Sequence, residues 1–155
     1  VRITLAAVGR LRPAFREACD DYRSRLARWV DVREVEVREA GRAGSSEVQR
    51  RQESRSLLAA VPGRATIVLL DRGGAPWSSE ELAERIRQWQ EQSRPLALLI
   101  GGAAGVDDTL REAASACWSL GPLTLPHELA RVVVLEQVYR GFTILHRLPY
   151  HKGPM

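Results

Sequence analysis

ATIVLL, residues 65–70, is an unbroken apolar run that stops at Asp71, and LALLI, residues 96–100, is a second that stops at Gly101-Gly102. Such runs are too short for a globular helix. Without polar alternation they read as strands covered on both faces, the habit of central strands in a parallel sheet. Between them Ser78-Ser79-Glu80-Glu81 has the form of a capping box, and Leu82, Ile86 and Trp89 give the following helix one buried face. Strand, helix and strand in that order is the crossover unit of parallel sheet.

The same alternation extends in both directions. Arg2 to Val8 (RITLAAV) is β-rich and followed by Gly9, and Pro13 suits a first helical turn. Phe15, Cys19, Tyr22, Leu26 and Trp29 recur at spacings of 4, 3, 4 and 3, which is one apolar helix face. Val32, Val35 and Val37, with Arg33, Glu34 and Glu36 between them, predict a strand with one wet face. Gly41 to Ser46 reads as a loop. Glu47 to Ala60 reads as a weakly anchored helix, with few apolar positions before Leu57 and Leu58. Asp107 to Ser115 predicts a shorter helix, Leu123 to Leu125 is β-compatible, and Pro126 opens a last helix running to about Arg147. The expected fold is α/β: a mostly parallel sheet flanked by helices, in one domain over residues 1–155.

The last helix carries apolar side chains around most of its circumference, from Leu129 through Val132, Val133, Val134, Leu135, Val138, Tyr139 and Phe142 to Leu145. A helix apolar on nearly all sides must be buried on nearly all sides, and a subunit interface is the economical way for a small domain to do that. Glu136, Arg140, Thr143 and Arg147, spaced 4, 3 and 4, form its polar stripe. A solvated edge with a Glu136–Arg140 helical pair accounts for the same residues.

Composition excludes several classes. With 155 residues, 45% hydrophobic and 27% charged, the chain can bury a core and is not of disordered type. No apolar run reaches the ~18 residues of a membrane span, and no charged-then-apolar leader opens the chain. Cys19 and Cys117 belong to no CxxC or Cys/His cluster, so neither zinc nor a disulfide framework is expected, and they suit a reducing cytoplasm. The formal charge is +4, and all of it comes from residues 1–62, with 13 basic against 9 acidic side chains. That imbalance suits a polyanion partner, although 22 of the 23 basic residues are Arg, which also fits a genome's codon bias.

Open α/β sheets bind ligands at the carboxyl ends of their strands. Three glycine-bearing segments are candidates there: Leu70 to Gly74, Ile100 to Gly105, and Leu120-Gly121-Pro122-Leu123-Thr124-Leu125. The GGAAG run does not match G-x-G-x-x-G and follows a late strand, which disfavours a dinucleotide site. No GxxxxGK[ST] is present. His127 follows Pro126 and suits a first helical turn. The tail Leu148-Pro149-Tyr150-His151-Lys152, with Arg140, His146 and Arg147, makes a basic, aromatic end carrying groups suited to proton transfer and base stacking.

LLDRGGAPWSSEELA, LLIGGAAG, WSLGPLTLPHELARVVVLEQVYRGF and the closing LPYHK together resemble the RlmH family of small SPOUT-class methyltransferases, over essentially the whole length. Ala103-Ala104 stands where many relatives have a loop such as IGGPEG. The resemblance implies a C-terminal trefoil knot, a homodimer, and use of S-adenosylmethionine without a metal to methylate N3 of a pseudouridine in 23S rRNA on the assembled 70S ribosome. It implies cofactor contacts at Leu70, Gly101 and Leu120 to Leu125: Leu120, Gly121, Pro122, Leu123, Thr124 and Leu125. On that footing Arg140 would stabilise a charged pyrimidine oxygen and Tyr150 would position the base. His151 would be the candidate proton acceptor, and Glu136 would hold Arg140. The competing reading is a noncatalytic RNA- or nucleotide-binding module, which would not bind S-adenosylmethionine. A nicotinamide-binding fragment fails on glycine spacing.

Overall fold

The computed structural model describes residues 2–41 and 44–152. Five strands form one sheet in the order β2-β1-β4-β3-β5, and every pairing is parallel. They are β1 (Arg2–Val8), β2 (Asp31–Val37), β3 (Thr66–Ala75), β4 (Leu96–Ile100) and β5 (Ala116–Trp118). Five helices connect and follow them: α1 (Pro13–Leu26), α2 (Ser46–Ala59), α3 (Ser79–Glu91), α4 (Asp108–Ala113) and α5 (His127–Leu145).

The two runs that suggested a parallel sheet lie at its centre. LALLI is β4, buried at all five positions, with β1 on one side and β3 on the other. Alternate residues of the central strands feed two cores. Leu5, Val68 and Leu98 face α1, α3 and α5, while Ala6, Leu69 and Leu99 face the side of α2 and α4. Helix starts follow local chemistry: Pro13 sits in the first turn of α1, the Ser78 hydroxyl accepts from Glu81 N at 3.1 Å, and Asp107 accepts from Leu110 N at 2.9 Å. None of the helices among the described residues is long and apolar enough to cross a membrane.

Four expectations are corrected. Leu123 to Leu125 is not a strand, and Leu123 is 75% exposed. Gly121, at φ +107, turns the chain away, and the edge position belongs to Ala116–Trp118 against β3. β3 itself does not stop at Asp71. Leu70 and Ala75 both pair with Trp118, so residues 71–74 make an excursion and return to the ladder. Gly74 permits that return, because a Cβ there would lie 2.5 Å from the Cys117 backbone. β2 has no fully wet face: Val32 and Val37, on opposite faces, are both buried, and Glu34 between them is nearly so. Finally, α5 ends at Leu145, with Arg147 beyond it at φ +56 and Thr143 fully buried, its hydroxyl donating back to Arg140 O at 2.6 Å. The polar stripe reduces to Glu136 and Arg140.

The apolar circumference of α5 is covered largely by its own chain. Trp29, beyond the end of α1, stacks on Phe142 with centroids 5.6 Å apart, and Tyr22 lies 6.1 Å from Tyr139. On the other flank Gly141 lets α3 approach, since a Cβ would sit 2.7 Å from Ile86. Leu129, Val132 and Val133 keep part of the helix's surface in contact with solvent.

A buried ion-pair cluster fastens α5 to the sheet. Arg131, only 1% exposed, donates to Glu34 at 2.6 Å, to Glu36 at 3.0 Å and to Gly9 O at 3.3 Å. Arg16 and Arg23 reach Glu34 from α1 at 2.8 and 3.2 Å. Cys19 lies beside this cluster, and burial first, then the Glu34 charge, pushes its thiol up to about 11. It is a core thiol rather than a reactive one.

Candidate active site

The carboxyl ends of β3, β4 and β5 open into a cavity of about 640 Å3, a size that accommodates a nucleoside-bearing ligand. Three loops build it: Leu70 to Arg72, Ile100 to Val106, and the segment from Trp118 into the first turn of α5. The structure therefore brings Leu70, Gly101, Leu120, Gly121, Leu123, Thr124 and Leu125 to one cavity, while Pro122 is not on its wall. Glycines are required where the loops turn. A Cβ on Gly101 would meet Val106 at 2.7 Å, and Gly105 and Gly121 have φ of +85 and +107.

Polar groups are few in this cavity. Arg111 donates to Asp71 at 3.1 Å, and that hydrogen bond, partly opposed by desolvation, raises the guanidinium further. The Ser119 hydroxyl accepts from Gly121 N at 3.1 Å and fixes the third loop. His127 walls both this cavity and a more polar depression of about 900 Å3 that includes Arg10 and Arg38; its Nδ1 is buried without a partner among the described residues.

The remaining candidates gather elsewhere, around the C-terminal half of α5. Glu136 Oε2 receives Arg140 Nη2 at 2.9 Å, Arg140 Nε at 3.2 Å and the Tyr150 hydroxyl at 2.7 Å. The Arg140 guanidinium lies over the Tyr150 ring at 4.7 Å, and Tyr139 meets that ring edge-on at 4.7 Å. Arg140 Nη1 is 3.1 Å from His151 Nδ1, and His151 Nε2 is 2.7 Å from Glu80 Oε1. A guanidinium can only donate, so Nδ1 is the acceptor and the imidazole proton sits on Nε2, facing Glu80. Both ring nitrogens are thus engaged.

The charges in this cluster reinforce one another. Burial opposes the Arg140 charge, but the Glu136 hydrogen bond and field outweigh it and its pKa is raised. Burial, then the hydrogen bond to Glu136, pushes the Tyr150 phenol well above its ordinary value, so it remains a donor through the neutral range. The hydrogen bond from His151 holds the exposed Glu80 carboxyl below its ordinary value.

The two groups of residues do not meet within one chain. Ala130 is the last α5 residue on the cavity wall, and Arg140 lies ten residues further along. At 1.5 Å per residue that is about 15 Å along the helix axis. His146 and Arg147 are exposed at the end of α5, with His146 stacked on Trp29 at 5.2 Å. Of the basic side chains around α2, Arg50 turns to Ala104 O at 3.5 Å, Arg51 pairs with Glu47, Arg38 and Arg55 are exposed, and Arg42 lies outside the described residues.

Two contributions escaped the sequence reading. Arg131 was hidden in an apolar helix and its partners are 95 and 97 residues away. Glu80 was assigned only to a helix start, though it also meets the tail.

Comparison with known proteins now places the chain. It is 41% identical to ribosomal RNA large subunit methyltransferase H of Xanthomonas oryzae pv. oryzae over 156 residues, covering 99% of this chain and all of the relative. It is 40% identical to the protein of that name from Methylococcus capsulatus, covering 98% and 100%. Among solved structures, a putative methylase family protein from Neisseria gonorrhoeae shares the fold, with a TM-score of 0.50 and 14% identity over 99% of this chain and 86% of that one. Residues 1–151 match the family model described as predicted SPOUT methyltransferase, and with full-length relatives above 30% identity the chain belongs to the SPOUT methyltransferases, in the large subunit methyltransferase H family.

Proposed function

We propose that this protein transfers the methyl group of S-adenosylmethionine to large-subunit ribosomal RNA in the cytoplasm, its target being N3 of a pseudouridine in 23S rRNA on the 70S ribosome. The observation that carries the reading is the glycine-walled cavity at the carboxyl ends of β3–β5, in a chain whose full-length relatives are named for ribosomal RNA methylation. Adenine suits a site of this composition, because glycine loops bring main-chain donors and acceptors close while Leu70, Leu120 and Leu125 supply apolar contact. Bound there, S-adenosylmethionine supplies an already activated methyl group.

The chain's own residues then orient the acceptor and manage its charge. The pyrimidine nitrogen must give up a proton to become nucleophilic, and the carbonyl oxygens beside it share the resulting charge. Arg140, fixed by Glu136 in a two-nitrogen grip, is the donor for that oxygen. Tyr150 offers a ring to the base and a hydroxyl tied to Glu136. His151 takes the imide proton only once it is released from Arg140 on Nδ1 or from its proton on Nε2.

Methyl transfer needs reacting atoms about 3–3.5 Å apart, whereas none of Glu136, Arg140, Tyr150 and His151 lines the cavity of its own chain, and Arg140 stands about 15 Å along α5 from Ala130. The working site in this reading is shared across a homodimer, with the tail cluster of one protomer facing the cavity of the other. Leu129, Val132 and Val133 offer apolar surface for the contact. The trefoil knot that the family resemblance implies belongs to the same reading.

Subunit complementation tests this arrangement. Thr124→Trp fills the cavity from an exposed loop position, and Arg140→Ala removes the tail donor; each variant alone is expected to lose activity by about 100-fold or more. Mixed as unfolded chains and refolded at equal ratio, half the dimers are heterodimers with one intact composite site, so about a quarter of wild-type activity should return. Activity that stays at the level of the separate variants would contradict a shared site.

A further inference from the structure

Helix α2 was expected to be weakly anchored, and its attachment is unusual: of its three buried residues, Glu53, Ser54 and Leu57, two are polar. Those two and Arg50 face the loop that follows β4. The Ser54 hydroxyl accepts from Asp107 N at 3.0 Å, and Arg50 donates to Ala104 O at 3.5 Å. Glu53 is 3% exposed. Its Oε2 accepts from Ala40 N at 2.9 Å, while its Oε1 has no partner among the described residues and lies against Gly102, 3.1 Å from where a Cβ there would be. On the other side of the same loop, Gly101, Gly102, Ala103 and Gly105 line the cavity.

An enclosed carboxylate oxygen without a donor is costly to keep. The loop that touches Oε1 at Gly102 continues into Ala103 and Ala104, whose amides donate to no other described residue and so are available to an acceptor. We propose that Glu53 is a positioning residue for this loop, its Oε1 taking a loop amide as the methyl donor binds and so fixing the loop that forms the cavity wall. The inference rests on the reading that this cavity receives S-adenosylmethionine. It explains why a carboxylate is needed. Ala40 approaches Oε2 and the loop approaches Oε1, and a glutamine of the same shape would turn an NH2 donor toward one of those two amides.

Glu53→Gln is therefore the informative substitution, with Leu57→Ala as a control that loosens the same helix without touching the acceptor pair. Binding of S-adenosylhomocysteine would be measured by calorimetry well below each variant's melting temperature, and hydrogen exchange followed over residues 102–105 with and without the ligand. In the wild type the ligand should slow exchange in the loop. Glu53→Gln should bind about tenfold more weakly or worse, as expected for losing a buried hydrogen bond to a charged group, and should lose that protection. Leu57→Ala should melt at lower temperature yet bind within about threefold of wild type with protection intact. Wild-type affinity and protection in Glu53→Gln would overturn the proposal, and so would equal losses in both variants. Absence of binding by the wild type itself would overturn the cofactor reading beneath it.

Discussion

Arg140→Ala is expected to slow methyl transfer by about 10²–10³-fold in single turnover, the usual cost of removing one aimed donor from developing negative charge. Binding of S-adenosylhomocysteine should be largely retained, because Arg140 serves the acceptor base and is not among the loop residues that wall the cavity. The size of the effect follows from how completely the guanidinium is organised before substrate arrives. Glu136 holds two of its nitrogens, His151 a third, and the Tyr150 ring lies under its plane, so little reorganisation is left for the moment of reaction. Arg140→Lys keeps the charge but loses the fork, and should fall between alanine and wild type. A rate within threefold or so of wild type for Arg140→Ala would remove it from the charge-stabilising role, given that one such donor is worth ~100-fold or more elsewhere.

The second large effect is on stability. Arg131→Ala should lower the unfolding free energy by about 3 kcal/mol, the low end of the 3–5 kcal/mol for breaking a buried pair, because Glu34 keeps Arg16 and Arg23. For a domain of this size that is a fall of about 6–12 °C in melting temperature. Removing both charges together, as Arg131→Met with Glu34→Leu, should recover much of the loss, since the penalty comes from a charge left buried rather than from the pair's absence. Thermal unfolding of the two variants side by side decides the point. If the single variant melts like the wild type, the cluster does not fasten α5 to β1 and β2 as described. The same contact bears on the site, because His127 and Ala130, within a turn of Arg131, stand on the cavity wall.

What could be read from the sequence follows from the range of each signal. Central strands announce themselves through local apolar runs, and α1 and α3 through periodicity, so the parallel sheet was legible from residues 65–105. The edge of the sheet was not. β5 has only three residues, two of them half-exposed, and what makes them a strand is pairing with β3, some fifty residues earlier. Leu123 to Leu125 has strand composition but follows a left-handed glycine and Pro122, which deny it a ladder. Glu34 looked like half of a wet face because alternation records polarity, not a buried arginine from the last helix. Candidate loops could be named from strand ends alone. That Arg140 and its partners stand apart from those loops within one chain could not, since the separation depends on where α5 starts and how far it runs.

The central claim is methyl transfer from this fold's glycine-walled cavity to ribosomal RNA. Its most direct test is incubation of the protein with labelled S-adenosylmethionine and 70S ribosomes lacking the modification, with free 23S rRNA as control, followed by nucleoside analysis. Label recovered as 3-methylpseudouridine from the 70S ribosomes is the predicted result. Measurable cofactor binding with no label in ribosomal RNA would contradict the substrate, and no cofactor binding at all would contradict the site.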